Sequence, residues 1–242
     1  MIKAGKYSVK RDLKTYQMDR RGRLRPIMLM NELQAIADTH AEILGAGRTF
    51  CFQNEIAWVV THYLVDIIEM PTDTEEIEIL TWPALHNALK AVRDFEIRGA
   101  DGRLMVRATS QWVLIDLTTR RPMRIDQKLP EWEMSTDRAW DRTFDKFDEF
   151  QPAICNYVKP RYDDIDMNQH INNAVYAVWA TESMGNRFRD SHELRGLEIN
   201  FRKEISPEVE ELEVCSILEE NTSRHQVKSS DIEHASIVCR WA

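Results

Sequence analysis

The chain has 242 residues, 43% of them hydrophobic, with only 8 Gly and 8 Pro; this is the composition of a folded protein with one large or two small domains and excludes a disordered chain. A formal net charge of −8 argues against a nucleic-acid surface, which needs a basic face. No stretch approaches the apolar length of a membrane span.

The chain opens on MIKAGKYSVK, which has no apolar core of a signal peptide, so a cytoplasmic protein is expected. A short strand is predicted near Tyr7–Tyr16. The first helix should start at Pro26, a favoured first helical position, and stop at Gly45, with Met30, Leu33, Ala37, His40, Ala41 and Leu44 on one face. Strands are predicted at about 56–69, 75–82, 91–98 and 103–117, with Asp101-Gly102 as the hairpin turn before the last. Thr119 to Phe150 then reads as a charged connector whose Trp132, Trp140, Phe144 and Phe147 should pack on the body. A second short strand near Asn156–Arg161 precedes a second helix, capped by Asn172 or Asn173, with Val175, Val178 and Trp179 buried and an end by Gly185. Alternation at Leu197–Phe201, Leu212–Leu218 and Ile237–Trp241 marks further strands.

Strand, helix and strand meander thus occur twice. An α+β architecture follows, in which each half wraps a long helix in an antiparallel sheet and the two sheets pair edge to edge. The halves are expected at 1–118 and 156–242, joined by a connector over 119–155. The duplicated unit satisfies its own pairing, so a monomer is expected, with further homodimerisation open. Cys51, Cys155, Cys215 and Cys239 form no CxxC pair and read as reduced, buried thiols. No metal or cofactor is expected: the Asp164–Asn168 segment has Gln169 where a calcium loop needs glycine, and no GxSxG or dinucleotide fingerprint occurs.

The chemistry-bearing segment is DMNQHINNAVY, from Asp166 to Tyr176. In an extended stretch, side chains two apart share a face, which lets Asp166, Asn168 and His170 converge on one group. A carboxylate, an amide and an imidazole are the parts that water-mediated hydrolysis needs. The same spacing also suits a helix-capping cluster.

The run RYDDIDMNQHINNAVYAVWATES resembles the DxNxHxNNxxYxxW segment that opens the second helix of the plant and bacterial acyl-ACP thioesterases. SHELRGLEINFRKEI, from Ser191 to Ile205, and the earlier AWVVTHYLVDI, EIEILTW and ATSQWVLIDLTTRRPMRI are similar to further segments of that family, in order. The resemblance covers nearly the whole chain. It implies a tandem (double) hotdog that releases free fatty acid from acyl carrier protein, with catalytic positions at Asp166, Asn168, His170 and Glu204. Under it, Glu204 would act as general base, Asn168 would hold the carbonyl or oxyanion, and His170 would position water or protonate the thiolate. Asp166 would fix the imidazole or share the base role. The family often has cysteine after the glutamate; Ile205 stands here, which favours carboxylate and water over a thiol nucleophile. The N-terminal half would hold the acyl chain, with Met28, Leu29, Met30 and Trp58 as candidate neighbours, and the C-terminal half would hold the chemistry. Arg20, Arg21, Arg23 and Arg25 form the densest basic run and, with Arg187, Arg189, Arg195, Arg202 and Lys203, are candidates for receiving the acidic carrier. Acyl-CoA hydrolysis on the same fold and acyl binding without turnover are the alternatives.

Overall fold

A computed structural model of the chain describes residues 2–129, 132–144 and 146–242. The N-terminal half runs β1 (Ile2–Ala4), β2 (Tyr7–Asp12), α1 (Pro26–Ile43), α2 (Arg48–Gln53), β3 (Ile56–Ile67), β4 (Glu76–His86), β5 (Ala91–Gly99) and β6 (Leu104–Asp116). β7 (Trp132–Met134) lies in the connector. The C-terminal half follows with β8 (Ile154–Val158), α3 (Asn173–Ser183), α4 (Asn186–Ser191), β9 (Leu194–Phe201), β10 (Leu212–Glu219), β11 (Thr222–Ser229) and β12 (Ile232–Trp241).

Among the described residues, all strands but the β1/β7 pair form one 10-stranded sheet in the order β2-β4-β5-β6-β3-β9-β12-β11-β10-β8. Its pairs are antiparallel, and β3 joins β9 across the middle, from His62↔Asn200 to Asp66↔Gly196. The two half-sheets therefore meet edge to edge, which covers the edge each would otherwise expose. This is the double hotdog expected from the sequence.

Both long helices lie on one face of the sheet. α1 has Pro26 at its first position and is closed by Gly45 at φ 72, a left-handed residue that only glycine adopts without strain. It buries Leu29, Met30, Leu33, Ile36, Ala37 and His40. α3 is capped by Asn172, whose side chain accepts from the Ala174 amide at 2.9 Å. The helices pack on each other and on Tyr63, Phe95, Ile199 and Ile237, each 0% exposed, in one continuous core. Each fully buried large side chain contributes about 1.5–3 kcal/mol, so one shared core ties the halves into a single unit.

The connector crosses the opposite face. Trp82 Nε1 donates to the Asp137 carbonyl at 2.9 Å. The buried Asp94 carboxylate accepts from Arg138 Nε and the Ala139 amide, both at 2.8 Å. Trp140 stacks under Arg107, and Phe144 covers His62 with ring centroids 5.2 Å apart. Pro130, Glu131 and Asp145 of the expected connector lie outside the described residues.

Five of the labelled elements differ from expectation. β1, β7 and the six-residue helices α2 and α4 are additional, and β11 supplies the fourth strand of the second meander. The cysteine reading is corrected as well. Cys155 of β8 and Cys215 of β10 are register partners with Cα atoms 4.0 Å apart, and they form a disulfide. The pair is 60 residues apart in sequence, and only the antiparallel register of the edge strand brings it together. Cys51 and Cys239 are the buried free thiols, pushed up to about 11 and about 12 by burial. Among the described residues, no helix is long and apolar enough to cross a membrane.

Candidate active site

The Asp166–His170 segment is a tight loop between a 3₁₀ turn (Tyr162–Asp164) and α3. Buried Asp164 anchors its entry, accepting from the Arg161 amide at 2.9 Å and from the Arg161 guanidinium at 2.7 Å, while its carbonyl accepts from the Asn172 amide at 2.8 Å. Ile165 and Ile171 then bridge the loop's base. Asp166 organises the tip. Its amide donates to the His170 carbonyl at 2.8 Å, and its Oδ1 accepts from the amides of Asn168 (2.8 Å) and His170 (3.3 Å). Gln169 takes φ 62 to close the turn.

The aspartate therefore meets the backbone of His170 and not its ring. Asp166 Oδ2 lies 3.4 Å from Asn168 Nδ2, so the carboxylate also orients the amide. The imidazole instead faces the other predicted carboxylate: His170 Nε2 is 3.5 Å from Glu204 Oε2, with both side chains about one-third exposed. Glu204 follows β9, and Ile205 beyond it is fully buried, an aliphatic plug at the position where a thiol was in question. Tyr176 of α3 lies behind the pair, its hydroxyl raised well above the ordinary phenol range by burial and then by the Glu204 charge.

Two residues not singled out from sequence join this cluster. The Arg120 guanidinium pairs with the same Glu204 oxygen that faces His170. Arg48, at the start of α2, donates to Met167 Sδ at 3.0 Å, and Met167 is 67% exposed on the loop. Arg120 belongs to the run TTRRP, read as the start of a charged connector; a long-range pair across 84 residues leaves no periodic trace in sequence.

The predicted acyl neighbours separate. Trp58 walls an apolar cleft of about 70 Å³ beside α1, together with Ala37, Ala41, Trp112 and Trp132, and its Nε1 donates to the Ala46 carbonyl at 3.0 Å. Ala46 leads through Gly47 to Arg48, which brings one wall of the cleft near the loop. Leu29 and Met30 are core residues, 1% and 2% exposed, and Met28 lines a separate groove beside Arg20 and Arg21. The cleft has two charged members. Arg93 lies within reach of His40 Nδ1 (3.1 Å) and Thr81 Oγ1 (3.2 Å), and its pKa is pulled down to about 10 by burial. Asp38 is open to the cleft yet crowded by protein, and its carboxyl is raised to about 6 by burial, against the pull of Arg93.

The arginine run before α1 is largely neutralised by the other half. Arg20 Nε donates to Asp190 at 2.8 Å and Arg23 pairs with Glu193 at 3.2 Å, whereas Arg25 stays within its own half, its Nε donating to the Met18 carbonyl at 2.6 Å. Arg195 also pairs with Glu193, at 2.7 Å, and Arg189 with Glu182.

Comparison with known proteins places this geometry. The family model for the acyl-ACP thioesterase N-terminal domain matches residues 4–131, and that for the acyl-ACP thioesterase C-terminal domain matches residues 149–242. A chloroplastic acyl-[acyl-carrier-protein] hydrolase of Cuphea viscosissima is 30% identical over 218 residues, covering 84% of this chain and 51% of the relative. A chloroplastic palmitoyl-acyl carrier protein thioesterase of Gossypium hirsutum is 29% identical over 210 residues, covering 80% of this chain and 51% of the relative. The chain thus spans about half the length of these relatives. An acyl-ACP thioesterase from Bacteroides thetaiotaomicron superposes with a TM-score of 0.83 over 98% of both chains at 22% identity, a likeness of fold.

Proposed function

The chain belongs to the acyl-ACP thioesterase family, and from that premise we propose that it hydrolyses fatty acyl thioesters of acyl carrier protein, releasing free fatty acid and carrier thiol. The observation that carries this reading is the meeting of His170 and Glu204, on separate elements, beside a loop that presents Asn168. Acyl carriage without turnover would not call for a carboxylate and an imidazole facing each other at an open surface.

In the proposed reaction a water attacks the thioester carbonyl carbon while Glu204 takes its proton. The carbonyl oxygen becomes an oxyanion and is met by the Asn168 amide, which Asp166 holds in place. Collapse breaks the carbon–sulfur bond, the thiolate leaves with a proton from His170, and the proton held by Glu204 passes to the facing imidazole, which restores both groups. Thioester and water become carboxylic acid and thiol, with no cofactor consumed. Residues 1–118 would hold the acyl chain, with the Trp58 cleft of about 70 Å³ receiving a few of its carbons, and residues 156–242 would supply the loop, with 119–155 strapping the two.

The test is thiol release from a panel of acyl-ACP and acyl-CoA thioesters by the wild type and by His170→Ala. Release that favours the carrier protein and collapses in the variant is expected. Equal release by the variant would remove the catalytic assignment, and acyl binding with no release from any thioester would leave an acyl-binding module.

A further inference from the structure

We propose that Arg120 is a positioning residue for Glu204, supplied by the N-terminal half to the chemistry of the C-terminal half; the proposal rests on the hydrolase reading above. The sheet explains how the two meet. β3 is flanked by β6 on one side and β9 on the other, and both run antiparallel to it, so the chain leaves both strands toward the start of β3: Asp116 of β6 pairs with Ile56 and Asn200 of β9 pairs with His62. Arg120 follows β6 and Glu204 follows β9, each by a few residues.

The turn that presents Arg120 is built tightly. Thr119 donates its amide and hydroxyl to Asp116 Oδ1 at 2.7 and 3.0 Å, and the Arg120 amide donates to the Asp116 carbonyl at 2.8 Å. The Asp116 amide returns a bond to the Arg121 carbonyl at 3.0 Å, and Pro122 bridges back to Ile115. Arg120 itself has φ 57, a left-handed conformation for which glycine or asparagine is the unstrained choice. A long cation in that place costs backbone energy, and an exposed ion pair returns little of it in stability. Stability therefore does not account for arginine here.

Its contact does. Glu204 Oε2 is held between the Arg120 guanidinium and His170 Nε2. With that oxygen held, Oε1 is left to take the proton of a water. Among the described residues, Arg120, His170 and Tyr176 are charged or titratable groups that interact with it. Because displacement of a reacting group by about 1 Å costs on the order of 100-fold in rate, a residue that only aims Glu204 should act on turnover.

The experiment compares wild type, Arg120→Met and Arg120→Lys on an acyl-ACP and on the matching acyl-N-acetylcysteamine thioester, which carries neither phosphate nor carrier. Arg120→Met should lower kcat by roughly 10- to 100-fold on both substrates with KM nearly unchanged, and Arg120→Lys should recover much of it. Melting temperatures equal to wild type exclude a folding effect, and Arg120→Gln carries the same comparison should the Met variant not fold. An unchanged kcat overturns the proposal, as does a loss seen only as a raised KM on acyl-ACP, which would make Arg120 a docking contact. Wild-type inactivity on every thioester would remove the hydrolase reading and the proposal with it.

Discussion

The two loops that lead into α1 and α3 share one backbone and carry different chemistry. Lys14 and Gln17 before α1 correspond to Arg161 and Asp164 before α3, each pair closing a 3₁₀ turn by a side-chain bond to the earlier amide (2.8 and 2.9 Å). Asp19 matches Asp166: its Oδ1 accepts from the amides of Arg21 (2.8 Å) and Arg23 (3.0 Å), as Asp166 does from Asn168 and His170. Met18 bridges Leu24 as Ile165 bridges Ile171, and Gly22 at φ 72 matches Gln169 at φ 62. The first helix therefore has a backbone counterpart of the DxNxH loop. The counterpart keeps the aspartate and puts Arg21 and Arg23 where Asn168 and His170 stand. An aspartate that makes the same two amide bonds in both loops is first a folding device, and under the proposed function reactivity resides in what the loop displays.

The largest test of that division exchanges the displayed residues. His170→Ala and Glu204→Gln should each cut thiol release by about three orders of magnitude, the scale of losing a general acid or base. Arg23→Ala, in the matching position of the other loop, should leave kcat within about threefold. A comparable loss from Arg23→Ala, measured on folded protein, would make the first loop part of the active site and break the comparison.

The aspartates come next. Removing either takes away two side-chain bonds to loop amides that are exposed or partly buried, which costs about 0.5–1.5 kcal/mol per bond. Asp19→Ala and Asp166→Ala should therefore lower denaturant stability by similar amounts, while only Asp166→Ala lowers activity. Unequal stability losses would mean that the two loops, alike in hydrogen bonding, differ in how solvent or neighbours satisfy them.

What could be read from residues alone follows the same line. Pro26, Gly45, Asn172 and the alternation through β6 are local signals, and the helices and most strands were legible from them. β11 was not, because its inward positions include Ser223 and His225, polar residues that hide the alternation while satisfying one another. His225 shows how: Nδ1 lies 2.8 Å from Ser216 Oγ and Nε2 lies 2.8 Å from Ser223 Oγ, in a site with no solvent. At the candidate site, the motif marked the loop, whereas Arg120 and the partnership of His170 with Glu204 depend on strand order. The equivalence of Asp19 and Asp166 was masked by the different residues around them.

The cores of the two halves can be compared through their buried histidines. Burial lowers His40 to about 4, with Arg93 adding to it, and His225 to about 3. Both are bases with depressed folded pKa values, so below about pH 6.5 the unfolded chain binds protons that the folded chain refuses. Stability should fall as pH drops from 6.5 toward 4, by about 1.4 kcal/mol per pH unit for each such histidine. His225→Asn should reduce that slope in urea melts taken across the range. A slope unchanged by the substitution would show that His225 is protonated in the folded state.

The smallest expected effect lies in the closing residue of each loop. Gln169 adopts a conformation that Gly22 adopts freely, and a side chain there costs about 1 kcal/mol. Gln169→Gly should therefore relieve strain, offset in part by the greater freedom of glycine in the unfolded chain, for a net gain of a few tenths of a kcal/mol. Gly22→Ala should lose about 1 kcal/mol, although its Cβ would meet nothing closer than Asp73 Oδ1 at 3.9 Å, so the loss would be purely one of backbone conformation. If both substitutions were destabilising, the Gln169 side chain would be making a stabilising contact of its own, and the loops would differ in scaffold as well as in display.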